Sequence, residues 1–144
     1  VKERELLERL RENFRAFVAG ELADYRAVAI EEAFSVEVGG VSVPGRIDAV
    51  FARVSGEGQR FLVVDWKSGQ PVTRQTKPEK LAYFATQLRL YRRAWAARMG
   101  VDPSEVGAMV AFLAGPSHYT LESLERMLGG GAQPLDEAVK GALS

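Results

Sequence analysis

The chain has 144 residues, of which 47% are hydrophobic, and its 19 basic side chains balance 19 acidic ones. This size and composition predict one globular domain with a single core, and no apolar run is long enough to span a membrane. The absence of cysteine and the presence of one histidine exclude disulfides, thiolate and iron–sulfur sites, and polyhistidine zinc sites. Any metal site must therefore use oxygen ligands or the single imidazole, which leaves hard cations such as Mg²⁺ or Mn²⁺ held by carboxylates.

The first residues of the chain are relevant to its cellular compartment and to whether it is part of a longer protein. No basic segment followed by an apolar leader is present, so we expect a cytoplasmic protein. The first residue, Val1, lies inside a charged helical pattern and is not preceded by an initiator methionine. We therefore expect a fragment of a longer protein, with a processed free-standing protein as the alternative.

The N-terminal half of the chain predicts one helix followed by three strands. Residues 2–19 repeat leucine and phenylalanine at helical spacing between charges, which predicts an amphipathic helix. Runs of β-branched and aromatic residues then predict strands at 28–38, 41–54 and 59–67. Residues 55–58 form the hairpin loop between the last two strands, and the unbroken apolar run in the third predicts burial on both faces.

The C-terminal half predicts a long helix, a strand and a short helix. After a polar loop, residues 79–99 place apolar side chains on one stripe, and Gly100 follows at a position that often ends a helix. Residues 106–113 predict a strand and 121–128 a short helix, whereas the tail that starts at Gly129 has no predicted structure. The order α-β-β-β-α-β-α predicts an α/β fold with a sheet of mixed direction.

Asp48 and Asp65 become neighbours if the hairpin is paired as its loop length predicts. A four-residue loop pairs Val54 with Gln59, and counting back along both strands places the two aspartates directly opposite each other. Side chains opposed in this way lie on one face, with Cβ atoms roughly 4.5–5.5 Å apart. Lys67 lies two residues beyond Asp65 and therefore projects from the same face.

Two carboxylates and an ammonium at the end of a buried strand are costly unless something offsets the repulsion between the acids. A divalent cation bound between them would do so; the alternative is an Asp–Lys ion pair with the second aspartate in water. The first arrangement suits phosphodiester hydrolysis. A metal ion activates water and neutralises phosphate charge, while a lysine stabilises the transition state.

Three short segments of this region form an ordered pattern. They are Gly45-Arg46-Ile47-Asp48, Asp65-Trp66-Lys67 and Gln87-Leu88-Arg89-Leu90-Tyr91. They resemble the G-x-x-D, D-x-K and Q-x-x-x-Y motifs of RecB-like nucleases in the PD-(D/E)XK superfamily. The resemblance covers roughly residues 28–115 and implies a restriction-endonuclease-like α-β-β-β-α-β core with a mixed central sheet flanked by helices.

The resemblance implies a role for each motif residue. Asp48 and Asp65 would bind the metal ion, with the backbone carbonyl of Trp66 as a further ligand. Lys67 would be the catalytic lysine. Gln87 and Tyr91 share one helix face and would border the site, although such a pair is also common in an ordinary packed helix.

The family also implies a nucleic-acid partner. Proteins with these motifs are often nuclease modules of helicase–nucleases that process double-strand breaks, so the resemblance implies DNA repair beside a helicase motor. Eight basic residues and one acidic residue lie between positions 67 and 98, and this segment would line the path of single-stranded DNA. The candidate DNA-binding residues are Arg74, Lys77, Arg89 and Arg92, although a solvated helix face would look similar.

Some features of the family are missing from this sequence. Many members have a histidine ligand on the first helix, whereas residues 1–20 contain none, and no cysteine is present for an iron–sulfur cluster. His118 follows the last predicted core strand, so we expect it at the surface. Glu31 lies on a strand that borders the site in this family, either as a metal-assisting carboxylate or as a sheet-edge residue.

Three functions are compatible with these observations. The leading one is a Mg²⁺- or Mn²⁺-dependent DNA nuclease. The second is a non-catalytic DNA-binding or scaffolding module of a helicase, inactive because the histidine is missing. The third is a glycoside hydrolase that uses the two aspartates as acid and base, which Lys67 and the basic segment disfavour.

Overall fold

A computed structural model describes residues 2–115, 117–129 and 135 of the chain. The elements in chain order are α1 (Lys2–Gly20), β1 (Tyr25–Val38), β2 (Val41–Arg53), β3 (Phe61–Lys67), α2 (Pro78–Met99), a 3-10 turn (Pro103–Glu105), β4 (Val106–Phe112), β5 (Ser117–Thr120) and α3 (Leu121–Met127). The tail after Gly129 lies outside the described residues, apart from Leu135. None of the described helices is both long and apolar enough to cross a membrane.

The five strands form one mixed sheet in which chain neighbours are also neighbours in space, in the order β1-β2-β3-β4-β5. The β1–β2, β2–β3 and β4–β5 pairs are antiparallel, whereas β3 and β4 are parallel. A parallel pair needs a long crossover connection, and α2 provides it. The predicted α/β fold with a mixed sheet flanked by helices is therefore confirmed.

Strand β5 is the element that the sequence did not predict. Its four residues, Ser-His-Tyr-Thr, contain no aliphatic side chain and give too short an alternation to be recognised. The strand forms because its backbone pairs with the end of β4, from Met109↔Thr120 to Phe112↔Ser117. As a result His118, expected at the surface, lies half-buried in a sheet.

Each face of the sheet carries a hydrophobic cluster. The larger lies under α2 and α3 and includes Phe34, Ile47, Val63, Phe84, Leu88, Val110, Leu121 and Leu124. The smaller contains Leu22, Ala49, Phe51, Leu62, Val64, Met109 and Ala111, with Phe17 and Val18 of α1 packed against it. Strand β3 contributes alternately to the two clusters, which confirms its predicted burial on both faces. Each fully buried aliphatic side chain contributes roughly 1.5–3 kcal/mol to folding.

Helix α1 is held to the sheet mainly by its second half. No residue of this helix is fully buried, and Leu6 and Leu7 are each 48% exposed. Farther along, the rings of Phe14 and Phe17 meet the Trp66 ring edge-on, with centroids 5.0 Å and 5.5 Å away. The side chain of Trp66 therefore lies on the α1 face of the sheet, and α1 supports the end of β3 from behind.

Candidate active site

The register of the β2–β3 hairpin brings two acids together. The ladder runs from Ala52↔Phe61 to Ala49↔Val64, which is the register that the loop length predicts. One step farther along the same register, Asp48 and Asp65 lie opposite each other, and the nearness of Asp48 raises the pKa of Asp65. Asp48 Oδ2 also accepts the backbone N–H of Trp66 at 2.9 Å. The predicted carboxylate pair is therefore present, and β3 itself fixes the position of Asp48.

The environment of Asp65 disfavours its charged form. Asp65 is 5% exposed and is the only charged residue that is buried in the described part of the chain. Burial raises the pKa of Asp65 to about 6; the neighbouring Asp48 adds to the rise, and the interactions with Lys67 oppose it. Because burial and the neighbouring acid disfavour the carboxylate, Asp65 holds a proton in mildly acidic solution, and its ionisation becomes unfavourable to the folded state as the pH rises.

Lys67 projects from the same face, as its spacing from Asp65 predicts. Its Nζ lies 3.0 Å from Asp65 Oδ2 and donates a hydrogen bond to Gln87 Oε1 at 3.3 Å. The ammonium also lies 5.5 Å from the centroid of the Phe84 ring. The side chain is 26% exposed, so the ammonium is held by partners on one side and remains accessible on the other.

Gln87 extends the hydrogen-bond network away from the sheet. Its Nε2 donates to the hydroxyl of Tyr83 at 3.1 Å, one helical turn earlier on α2. Tyr83 was not among the predicted site residues, although it precedes Gln87 by four positions and therefore lies on the same helix face. The ring of Tyr83 is 59% exposed, so the network runs from the buried Asp65 to solvent.

Tyr91 approaches the carboxylate pair without an ion pair or hydrogen bond that joins it to either acid. Burial raises the pKa of Tyr91 well above its usual range, and the charges of Asp65 and Asp48 raise it further. The phenol therefore stays neutral throughout the physiological range. Its ring packs edge-on against Phe34, with centroids 5.7 Å apart, so Tyr91 forms part of the wall of the site.

The glycine of the first motif has a packing role. Gly45 pairs with Phe34 across β1 and β2, and the Phe34 ring covers the backbone of Gly45. A Cβ atom at position 45 would lie 2.5 Å from Cζ of Phe34, closer than carbon atoms can approach. Glycine therefore leaves room for Phe34, which in turn supports Tyr91.

Oxygen ligands are the only type that the site offers to a metal ion. Among the described residues, no group of three or more His, Asp or Glu side chains is arranged to hold a metal. Two facing carboxylates nevertheless match the ligand preference of hard divalent cations, which complete their coordination with carbonyls, water or phosphate. The carbonyl of Trp66 remains a predicted additional ligand.

Glu31 and His118 do not join the carboxylate pair. Glu31 is exposed and has a left-handed backbone with φ 49°, and its carbonyl accepts a hydrogen bond from Arg46 at 2.8 Å. His118 Nε2 lies 3.5 Å from Glu21, and its ring packs edge-on against Phe17 on the α1 face. Neither residue takes the place of the histidine ligand that many family members have on the first helix.

The four candidate DNA-binding residues divide into two groups. Arg74 and Lys77 are exposed in the loop between β3 and α2. Arg89 and Arg92 lie on α2, and at 3.6 residues per turn they point roughly 140–160° away from Gln87. Arg89 donates hydrogen bonds to its own helix, to Ala85 O at 3.5 Å and to the Thr86 hydroxyl at 3.4 Å. The α2 pair therefore points away from Gln87, whereas Lys77 of the loop pair lines a cavity together with Phe84.

The comparisons with known proteins agree with this geometry. No curated protein matches the chain. A sequence profile of the PD-(D/E)XK nuclease superfamily matches residues 1–141, nearly the whole chain. The mixed five-stranded sheet flanked by helices is consistent with the restriction-endonuclease-like fold of that superfamily. On the match and the fold together, the chain belongs to the PD-(D/E)XK nuclease superfamily.

Proposed function

We propose that this chain is a metal-dependent nuclease that hydrolyses phosphodiester bonds in DNA. The observation that carries the proposal is the placement of Asp48 and Asp65 on adjacent strands, with Asp48 Oδ2 accepting the backbone N–H of Trp66 and the Lys67 ammonium 3.0 Å from Asp65. Burial raises the pKa of Asp65 to about 6 although Lys67 lowers it, so one ammonium does not fully stabilise the carboxylate. A divalent cation bound between the two acids would stabilise the carboxylate further.

The proposed chemistry divides among the motif residues. Asp48 and Asp65 would hold Mg²⁺ or Mn²⁺, and the bound ion would supply positive charge to the phosphate and lower the pKa of water. Lys67 is accessible on one side, so its ammonium can stabilise the negative charge that develops on the reacting phosphate. Gln87 holds Lys67 in position through its amide oxygen. These roles need neither a histidine base nor a covalent nucleophile.

Calorimetric titration with Mn²⁺ and cleavage of end-labelled single-stranded DNA test this proposal. The Asp48→Asn variant should lose both metal binding and cleavage. Asp102→Asn is a matched control, because Asp102 is fully exposed and caps a 3-10 turn through Ser104 N–H, a role that asparagine also performs. A wild-type protein that binds Mn²⁺ but leaves DNA and RNA intact would contradict the nuclease proposal.

A second function is a non-catalytic DNA-binding or scaffolding module. The observation that favours it is the small ligand set, because no third acid or imidazole joins the two aspartates in the part of the chain that the structure describes. In that case the Mn²⁺ titration is flat while single-stranded DNA still binds. The same pair of measurements therefore separates the two functions.

The motif set also supports a place beside a helicase motor in DNA repair. In such a machine the motor would deliver single-stranded DNA to the carboxylate pair. Cleavage rates of this chain and of a longer natural protein that contains it, measured with and without ATP, test that association. Equal rates under all four conditions would count against it.

A further inference from the structure

A cavity of about 600 Å³ lies between the loop that follows β3 and the first turns of α2. We call it the loop cavity; its lining includes Thr73, Gln75, Lys77, Lys80 and Phe84. Phe84 connects it to the candidate active site, because the ammonium groups of Lys67 and Lys80 lie 5.5 Å and 5.9 Å from the centre of its ring. The loop cavity and the lysine of the D-x-K motif therefore share one neighbour, the Phe84 ring.

The lining of the loop cavity is suited to an anion. Lys77 and Lys80 are both exposed and form no ion pair with any residue that the structure describes. No acidic side chain is among the lining residues. The remaining polar groups are threonine hydroxyls and glutamine amides, which donate hydrogen bonds to phosphate oxygens. The cavity thus combines two cations with neutral donors.

The shape of the loop cavity is partly fixed by its own hydrogen bonds. The backbone N–H of Thr73 donates to the Thr76 hydroxyl at 2.8 Å, and the Thr73 hydroxyl accepts the N–H of Gln75 at 3.1 Å. On the inner side, Tyr119 donates its hydroxyl hydrogen to the carbonyl of Val72 at 2.9 Å. The loop is therefore tied both to itself and to β5.

The size of the loop cavity and the burial of Phe84 indicate which part of a nucleotide it holds. Its volume lies within the roughly 300–1,000 Å³ typical of small-ligand sites, so one nucleotide fits. Phe84 is only 5% exposed, which leaves too little of its ring for a base to stack on. Recognition would then come from the sugar and phosphate, and would be independent of sequence.

Two other cavities lack this combination. The cavity near the β2–β3 turn measures about 730 Å³ and is lined by Arg26, Arg53 and Arg60, but also by Glu57. It lies at the opposite end of β3, roughly 20 Å from Lys67 at about 3.3 Å per residue. The cavity between α1 and β5 measures about 230 Å³ and includes Glu21. Only the loop cavity, of these three, has no acidic lining residue and is lined by Phe84, the ring that the Lys67 ammonium approaches.

We propose that the loop cavity binds the sugar-phosphate group of the nucleotide next to the scissile bond, with Lys77 and Lys80 neutralising its phosphate. This subsite rests on the proposed nuclease function and gives that function a specific substrate contact. A strand bound there would leave its neighbouring phosphate beside Lys67. Lys80, which the sequence analysis did not select, becomes a substrate-binding residue.

Binding of a labelled single-stranded DNA 12-mer, followed by fluorescence anisotropy over a series of salt concentrations, tests the subsite. The Lys77→Gln/Lys80→Gln protein should bind about tenfold more weakly, and its log–log salt slope should be smaller by about 0.7 for each phosphate that the variant no longer neutralises. The matched control is Arg26→Gln/Arg60→Gln, which removes the same charge at the other end of the sheet. It should bind within about twofold of wild type.

A position-specific substrate adds a second measurement. A single methylphosphonate removes one backbone charge, and placing it beside the cleaved bond should raise KM for the wild-type protein but not for the double variant. Non-additivity of this kind identifies a direct contact between the altered groups. Equal increases in KM for both proteins would overturn the subsite.

The outcomes separate the subsite from the nuclease proposal. If wild-type protein cleaves DNA and the lysine variant binds with unchanged affinity, the subsite is wrong and the nuclease function stands. If binding depends on both lysines but no strand is cleaved, the nuclease function is wrong; the loop cavity then still binds a sugar-phosphate group, but not one next to a scissile bond. If wild-type protein binds no oligonucleotide, the subsite is wrong.

Discussion

The two ends of the β2–β3 hairpin carry polar clusters of opposite character. At the turn end, the Arg53 guanidinium donates to the carbonyls of Gln59 at 3.1 Å and Ser55 at 3.4 Å, and to the Tyr25 hydroxyl. It also lies 4.6 Å from the centre of the Tyr25 ring. At the other end, Asp48 and Asp65 lie opposite each other, and a single ammonium, that of Lys67, lies 3.0 Å from Asp65.

The polar groups at the turn end stabilise the fold, whereas those at the carboxylate end destabilise it. In the Arg53 cluster each acceptor receives a hydrogen bond from the guanidinium. The carboxylate pair places two acids together, and burial raises the pKa of one of them to about 6. Strained ionisable groups of this kind are more common at functional sites than elsewhere. Variants at the two ends should therefore change different properties.

The largest expected effect is on activity at the carboxylate end. Lys67→Ala should reduce the cleavage rate about 100- to 1,000-fold, as expected when one charged group that stabilises a transition state is removed. Stability should change little, because Lys67 is partly exposed. Initial rates on single-stranded DNA with Mn²⁺ measure the effect, and Arg60→Ala is the control for removal of one positive charge. Cleavage at the wild-type rate would exclude a role for this lysine.

The next effect is on stability at the turn end. Arg53→Ala should lower the free energy of unfolding by about 2–3 kcal/mol, because the variant cannot form several hydrogen bonds that a charged group donates. Urea denaturation followed by circular dichroism measures it, with Arg26→Ala as an exposed arginine control expected to change stability by under about 0.5 kcal/mol. If the two variants unfold at the same urea concentration, the Arg53 cluster does not stabilise the hairpin.

The free energy of unfolding, measured as a function of pH, should show how much the ionised carboxylate pair destabilises the fold. Asp65 has a pKa of 3.8 when unperturbed and about 6 in the folded chain, so the folded state binds the additional proton between these values. Its contribution to stability therefore falls as the pH rises from about 4 to about 6, and stays low above that. Asp65→Asn, which cannot ionise, should gain about 1–2 kcal/mol relative to wild type at pH 8 compared with pH 4. If the free energies of unfolding of the two proteins differ by the same amount at every pH, ionisation of Asp65 does not destabilise the fold.

The smallest effect should come from the positioning network on α2. Gln87→Leu removes the hydrogen bond to the Lys67 ammonium and should lower kcat about threefold to tenfold with KM nearly unchanged. Tyr83→Phe, at the exposed end of the network, should lower kcat by less than about threefold. Single-turnover rates on one oligonucleotide measure both. A larger decrease from Tyr83→Phe than from Gln87→Leu would mean that the tyrosine acts directly on substrate.

The sequence predicted the carboxylate pair because every step of that inference is local. The loop length set the hairpin register, and the register placed Asp48 opposite Asp65. Strand alternation then put Lys67 on the same face. By contrast, the contact between Lys67 and Gln87 depends on how α2 crosses the sheet, and only the family motif suggested that the two lie near each other.

The sequence was less informative where structure depends on distant partners. β5 has four residues and no aliphatic side chain, so the adjacent edge of β4 creates it rather than any pattern of its own. The loop cavity is formed by residues 70–77 together with Lys80 and Phe84. Charge counting selected Arg89 and Arg92 as readily as Lys77, because a count contains no information on which helix face a residue occupies.

The connection of β3 to β4 through α2 has a consequence for the order of assembly. A growing chain leaves the ribosome from its N-terminus, so the hairpin that carries both acids emerges before the helix that carries Gln87. Hairpins form in microseconds, whereas parallel pairing requires closure of a longer loop. A folding intermediate can therefore contain the two acids in register before the Gln87 side chain is in place to accept the hydrogen bond from Lys67. The hydrogen bond that positions Lys67 is then formed only when the crossover helix docks.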